Sequence, residues 1–318
     1  MARTRTALFN RQTPGGVFTI DDFAEHPGEL YFLDPNSTVT NGDGTSPDSP
    51  VLTLAAAYAL LATNVNDSIY YIPGSSGLQM AATLEWSKNN GRLFGVGAPA
   101  HLATRARIGM SANFSPMLTL SGSGNWLRNV YFQHGRGSAT NVNILTITGH
   151  RNVFENVHFA GPQHATEAGT AGYRGVIIDG GQENFFKHCV FGTDTIPLTD
   201  ADTALLEFKN GAARNVFEDC LFTSASEETT PDDVLVAAAG GIDRFALFNR
   251  CTFVSFSVNW ANKRAGGISI PAGASGVVIL KDCTFVNYTD VFASGTNRIW
   301  IDGAAPTTTT SGLAVAPS

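Results

Sequence analysis

One short segment recurs six times along the second half of this chain, and a repeat of that length leaves few folds open. The copies span 127–132 (LRNVYF), 154–159 (FENVHF), 186–191 (FKHCVF), 217–222 (FEDCLF), 248–253 (FNRCTF) and 280–285 (LKDCTF). Their closing residues, Phe132, Phe159, Phe191, Phe222, Phe253 and Phe285, follow one another at steps of 27 to 32 residues. A step of that size suits one coil of a three-stranded solenoid, with identical positions stacked coil upon coil. A second apolar run precedes each copy, at 117–120, 144–147, 176–178, 205–208, 234–236 and 268–270, and most are followed by Gly, Asn or Ser.

Stacking in register predicts three interior columns. One is the Phe series. The second is Val130, Val157, Cys189, Cys220, Cys251 and Cys283, and the third is Leu127, Phe154, Phe186, Phe217, Phe248 and Leu280. All four cysteines fall in one column, at spacings that match no zinc or redox motif, so they are read as free thiols packed as small hydrophobes. Asn129, Asn156, His188, Asp219, Arg250 and Asp282 precede that column and form an expected polar ladder that serves the backbone.

Composition agrees with a strand-rich protein. Charged residues make up 15% of the chain against 33 Gly and 21 Phe, and the net charge of −7 argues against a phosphate-backbone partner. No stretch of 18 apolar residues and no leader pattern occurs, so neither membrane span nor secretion is expected.

Further toward the N-terminus the sequence reads NGDGTSPDSPVLTLAAAYALLAT from position 41, then SIYYIPG from position 68. The loop, the Ala/Leu run and the strand closed by Pro73-Gly74 resemble the start of pectate-lyase-like proteins. That resemblance implies an all-β fold, a single-stranded right-handed parallel β-helix with an N-terminal capping α-helix near 51–63. It implies a lead-in over 1–40, the solenoid over 41–300 and a tail over 301–318. It says little of activity, because lyases, hydrolases and structural proteins share the scaffold.

Polysaccharide cleavage on such a scaffold needs paired carboxylates. The candidates are Asp200, Asp202, Glu227 and Asp232, with Asp194, Glu228 and Asp233 beside them; the plainer reading makes them solvated loop charges. His134, His158, His164 and His188 share no column, and no metal or other cofactor is expected. Gly-rich pieces lack phosphate-loop context.

The terminal segments lack the repeat, and the loops after each Phe should leave along one edge. Short β-helix chains with such ends resemble accessory proteins of tailed-phage virions. The resemblance implies a non-enzymatic decoration or cement protein on the head surface of a particle, in contact with the major capsid protein or neighbouring copies. Arg3, Arg5, Arg11, Tyr173 and Trp260 are the expected contact residues. The alternative is a tail-spike or fibre protein that binds or degrades host surface glycan, as a polysaccharide lyase or glycoside hydrolase.

Overall fold

The computed structural model describes residues 28–140, 142–228, 232–256, 264–294 and 298–301. Their strands form three parallel sheets of ten, eight and eight strands; each complete coil gives one strand to each sheet, and sheet 1 adds Leu30–Leu33 at one end and Ile299–Ile301 at the other. Sheet 1 carries strands such as Trp126–Arg128 and Val153–Glu155; sheet 2 carries Tyr131–Gln133 and His158–Ala160; sheet 3 carries Asn143–Ile147 and Tyr173–Asp179. This is an all-β parallel solenoid.

The predicted columns exist. In sheet 2, Phe132, Phe159, Phe191, Phe222, Phe253 and Phe285 are consecutive register partners. In sheet 1 the same holds from Leu127 through Phe154, Phe186, Phe217 and Phe248 to Leu280. The rung spacing sets the ring spacing: Phe191 and Phe222 stack at 4.6 Å, as do Phe186 and Phe217, and the two columns meet edge to face, with Phe191 at 5.8 Å from Phe217. All four cysteines are free; Cys189, Cys220 and Cys251 are buried, and Cys283 is half-buried. Each thiol points at a carbonyl one coil back, that of Phe154, Phe186, Phe217 or Phe248, at 3.4 to 3.5 Å.

Leu127 and Val130 are three apart yet both point inward, which strand alternation forbids. The residue between the two strands resolves this. Asn129, Asn156, His188, Asp219, Arg250 and Asp282 all adopt left-handed backbone, with φ between 51° and 58°. One such residue turns the chain from sheet 1 to sheet 2, and Asn, Asp and His tolerate it best. Their N–H groups bond the next coil, Asn129 to the carbonyl of Glu155 and His188 to that of Glu218, both at 2.9 Å.

A second ladder lies wholly inside. Asn125, Asn152, Asn184 and Asn215 are at most 1% exposed. The Oδ1 of each later member accepts the N–H and the side-chain amide of the one before, at 2.9 to 3.1 Å. The series ends where Ala246 takes the next position.

Some boundaries differ from expectation. Strand Leu30–Leu33 already pairs with Ser68–Tyr71, so sheet 1 begins inside the supposed lead-in. The helical run is shorter, Leu54–Leu60, with the Thr53 hydroxyl accepting the Ala56 N–H and Lys88 Nζ donating to the carbonyls of Tyr58, Ala59 and Leu61. The segments after Phe191 and Phe222 continue as strand, Val190–Leu198 and Leu221–Ser226, rather than leaving as loops.

Two substitutions separate core from ladder. Phe191→Ala should cost about 3–5 kcal/mol, as a cavity in a stack that cannot collapse. Asn184→Ala leaves Asn152 donors buried without an acceptor and should cost about 1–3 kcal/mol. Urea unfolding followed by circular dichroism measures both; a loss under 1 kcal/mol for Phe191→Ala would contradict the stacking.

Candidate functional site

The corner between sheets 1 and 2 carries a surface groove of about 510 Å³. It is lined by Arg128 and Glu155 from the outer face of sheet 1, by Asn129, Asn156 and His188 of the turn ladder, and by Gly95, Pro99 and His101. Gly95 has no room for a side chain, because a Cβ there would lie 2.0 Å from the Asn129 carbonyl oxygen. The Asn129 amide donates to the carbonyls of Gly95 and Gly97 at 2.8 and 3.1 Å, and the Asn156 amide donates to Asn129 Oδ1 at 2.9 Å. The Arg128 guanidinium stands over the rings of Phe94 at 4.4 Å and Trp126 at 5.1 Å, which holds it at the groove floor.

One wall is the segment after Gly95, and His158 fixes it. Its Nδ1 accepts the Ala103 N–H at 3.1 Å, so the proton sits on Nε2, which donates to the Gly192 carbonyl at 2.9 Å. The ring meets Tyr131 edge-on at 4.8 Å. Burial holds the imidazole neutral, down to about 4, with the hydrogen bond to Gly192 opposing. His101 is also lowered, by burial and by the nearby charge of His188, against a hydrogen bond to the His188 backbone. His188 itself is half-exposed, 3.3 Å from Asp219.

The four predicted acids do not enter this groove. Asp200 accepts the Asp202 N–H at 2.8 Å, closing its own turn. Asp202 is paired with Arg174 at 2.6 Å, and Glu207 lies 3.7 Å from the same guanidinium. Glu227 is exposed. Asp232 opens the sheet 3 strand Asp232–Val236, where burial pushes its carboxyl up to about 7 against the charges of Arg264 and Arg174. Asp233 is no solvated loop charge. It is fully buried, bonded by Arg264 and the Tyr288 hydroxyl, and 3.3 Å from Ser224.

Of the expected contact residues, Arg3, Arg5, Arg11 and Trp260 lie outside the described residues. Tyr173 is corrected: it is fully buried, its ring 6.0 Å from that of His134, so it offers no surface to a partner. His134 is fully buried too and held down to about 4 by burial, with Glu167 opposing. His164 caps the short helix Ala165–Ala168 and lies 3.5 Å from Glu167. Among the described residues no three His, Cys, Asp or Glu side chains are placed to hold a metal ion.

Arg128, Glu155 and His101 were missed as site residues. Arg128 and Glu155 sit inside the repeat, where their partnership follows from register, but His101 reaches the groove through an irregular segment with no sequence period.

No protein-family model matches the sequence, and no curated protein matches it either. Among solved structures the chain is similar to a pectin methylesterase in complex with a hexasaccharide, at 13% identity and TM-score 0.54 over 89% of this chain and 92% of that one. The pectin methylesterase of Erwinia chrysanthemi gives the same values. A pectate lyase matches at 13% identity and TM-score 0.53, over 86% of this chain and 67% of its own. At this identity the likeness establishes the fold, the right-handed parallel β-helix.

The buried histidines set a pH dependence. An unfolded His158 takes up a proton near its ordinary 6.5, whereas the folded one does so only near 4, so acidification across that window favours unfolding. The loss should reach roughly 3 kcal/mol. Asp232 acts in the opposite sense, because its raised carboxyl binds a proton in the fold first. The clean observable is therefore the difference between wild type and His158→Gln: urea titrations from pH 6.5 to 4 should show wild type losing more. Parallel curves would refute a neutral His158.

Proposed function

We propose that this chain is a glycan-binding β-helix protein of the tail-spike or fibre kind, which holds an extended saccharide in the His101–Arg128–Glu155 groove without cleaving it. The carrying observation is the polar lining: a guanidinium, a carboxylate, two amides and two imidazoles on successive coils. Such groups supply the donors and acceptors that sugar hydroxyls need, and fixed ladders present them with little ordering cost. Coils about 4.8 Å apart repeat those contacts along the axis, as an extended polymer requires.

Glycosidic hydrolysis is not part of the reading, because among the described residues Glu155 is the single carboxylate lining the groove and such hydrolysis calls for two. The pectin-acting neighbours support a saccharide ligand only as an analogy of scaffold. The helix Leu54–Leu60 is taken here as the plug of the solenoid's first end, since Leu54 and Ala57 are buried and Tyr58 packs on Trp86 at 5.1 Å. A particle-bound setting remains part of the proposal. Head decoration is the other form, but its expected contacts are either outside the described residues or, at Tyr173, inside the fold.

Titration of the full chain with neutral and acidic oligosaccharides, followed by saturation-transfer NMR, tests this. Binding should weaken roughly tenfold or more in Arg128→Ala and in Glu155→Gln, with no new reducing ends released. Failure to bind any saccharide, together with attachment to capsids stripped of the protein, would replace the reading with decoration.

One observation favours a second reading. Asp232 is raised to about 7 and shares the field of Arg174 with Asp202, an arrangement that suits a general acid beside a second carboxylate. Release of reducing ends from acidic polysaccharide, abolished by Asp232→Asn and retained by Asp200→Asn, would establish it. Equal activity in both variants would end it.

A further inference from the structure

The outer face of sheet 1 carries an apolar stripe. Register places Trp126, Val153, Phe185, Val216, Leu247 and Ile279 above one another, with Trp300 next. The first six are half-buried and Trp300 is 42% exposed. Among the described residues, the strands that carry the stripe are hydrogen-bonded only to strands of sheet 1.

Charges flank the stripe on both sides, and their signs are ordered. Two residues before the stripe stand Arg151, Glu183 and Arg214, joined along the axis at 2.6 and 2.7 Å. Two residues after it, on the same coils, stand Glu155, Lys187 and Glu218. Each of three successive coils therefore carries opposite charges on its two flanks: Arg151 with Glu155, Glu183 with Lys187, Arg214 with Glu218.

We propose that this face binds a second copy of the chain, parallel to the first, about a two-fold axis running along the solenoid. Such an axis keeps coils at one height and reverses strand direction, so each flank meets the opposite flank of the partner. Glu155 then faces Arg151, Lys187 faces Glu183 and Glu218 faces Arg214, each pair made twice, around a stripe closed from water. An antiparallel pairing about Val216 sets Glu218 against Glu218 and Arg214 against Arg214. An antiparallel pairing stepped by half a coil, between Val153 and Phe185, meets opposite charges too, but it uses only the alternation within each ladder; the opposite phase of the two ladders is what the parallel arrangement alone requires.

The attraction along each ladder explains alternation up the axis, but it does not explain why the two ladders run in opposite phase. Complementarity to a second copy does. Glu155 lines the groove as well, but Glu183, Lys187, Arg214 and Glu218 do not, so the Glu183–Lys187 contacts test the interface apart from the groove.

Light scattering on the full chain at micromolar concentration should give twice the chain mass. Phe185→Glu should return it to one. Lys187→Glu and Glu183→Lys, each placing like charges across the interface, should each weaken self-association by roughly tenfold or more. Mixing the two variants restores both opposite pairs and should restore the dimer. A nitroxide on a non-natural amino acid at Ser121, near one end of the stripe, reports orientation in the otherwise unaltered chain. Parallel copies bring the two labels to one height, whereas antiparallel ones separate them by roughly 25 Å or more along the axis. A monomer at all concentrations, dimerisation indifferent to Phe185→Glu, mixed variants that stay monomeric, or the long label distance would each overturn the proposal.

Discussion

Registered stacking is the constraint from which the rest of this molecule follows. Each coil must return the chain to the same point one strand spacing further along, so a side chain meets its own equivalents above and below. Like must then tolerate like at about 4.8 Å. Aromatic rings, thiols and amides do so, because rings stack, thiols point at carbonyls, and an amide accepts on one side while donating on the other. Like charges do not, and the exposed ladders alternate in sign: Arg151, Glu183 and Arg214 on one line, and Glu218 and Asp219 answered by Arg250 at 2.7 Å on another.

The interior columns were legible in the sequence because stacking repeats the same residue types at a nearly fixed step. Phe191 and Phe222 advertise each other, and the cysteine column follows from their offset. The internal Asn ladder follows the same rule, yet went unread. Asn125, Asn152, Asn184 and Asn215 lie two residues before an apolar column, at or just before a strand's first residue, where Asn is ordinary, and a buried Asn looks like an exposed one until its acceptor is known. Irregular segments were less legible still. Tyr173 and Asp233 follow stretches of sequence rich in polar residues, and their burial depends on partners, His134 and Arg264, that no period connects to them.

The groove shows both regimes at once. Its floor is regular: Arg128, Asn129, Glu155 and Asn156 are neighbours because adjacent coils are, and the left-handed turn admits the polar residues that line it. Its wall is irregular, held by one neutral imidazole between Ala103 and Gly192. A solenoid thus supplies a linear array of contacts without added cost, while specificity for one ligand must come from the excursions.

Economy of turning also shapes the surface. A residue at φ near 55° sacrifices about 1–2 kcal/mol when it is not Gly or Asn, and Arg151, Glu183, Arg214 and Arg250 accept that penalty. Glycine would be the lower-energy choice, and the neighbouring coils use it freely elsewhere, as at Gly180 and Gly211. Keeping long charged side chains at strained turns makes sense where those charges have partners. Along the axis Arg151, Glu183 and Arg214 have each other, worth at most about 1 kcal/mol per exposed pair. That barely covers the strain. The balance becomes favourable when the same groups also meet the opposite flank of a neighbouring molecule, where closure of the apolar stripe would remove water and strengthen each pair.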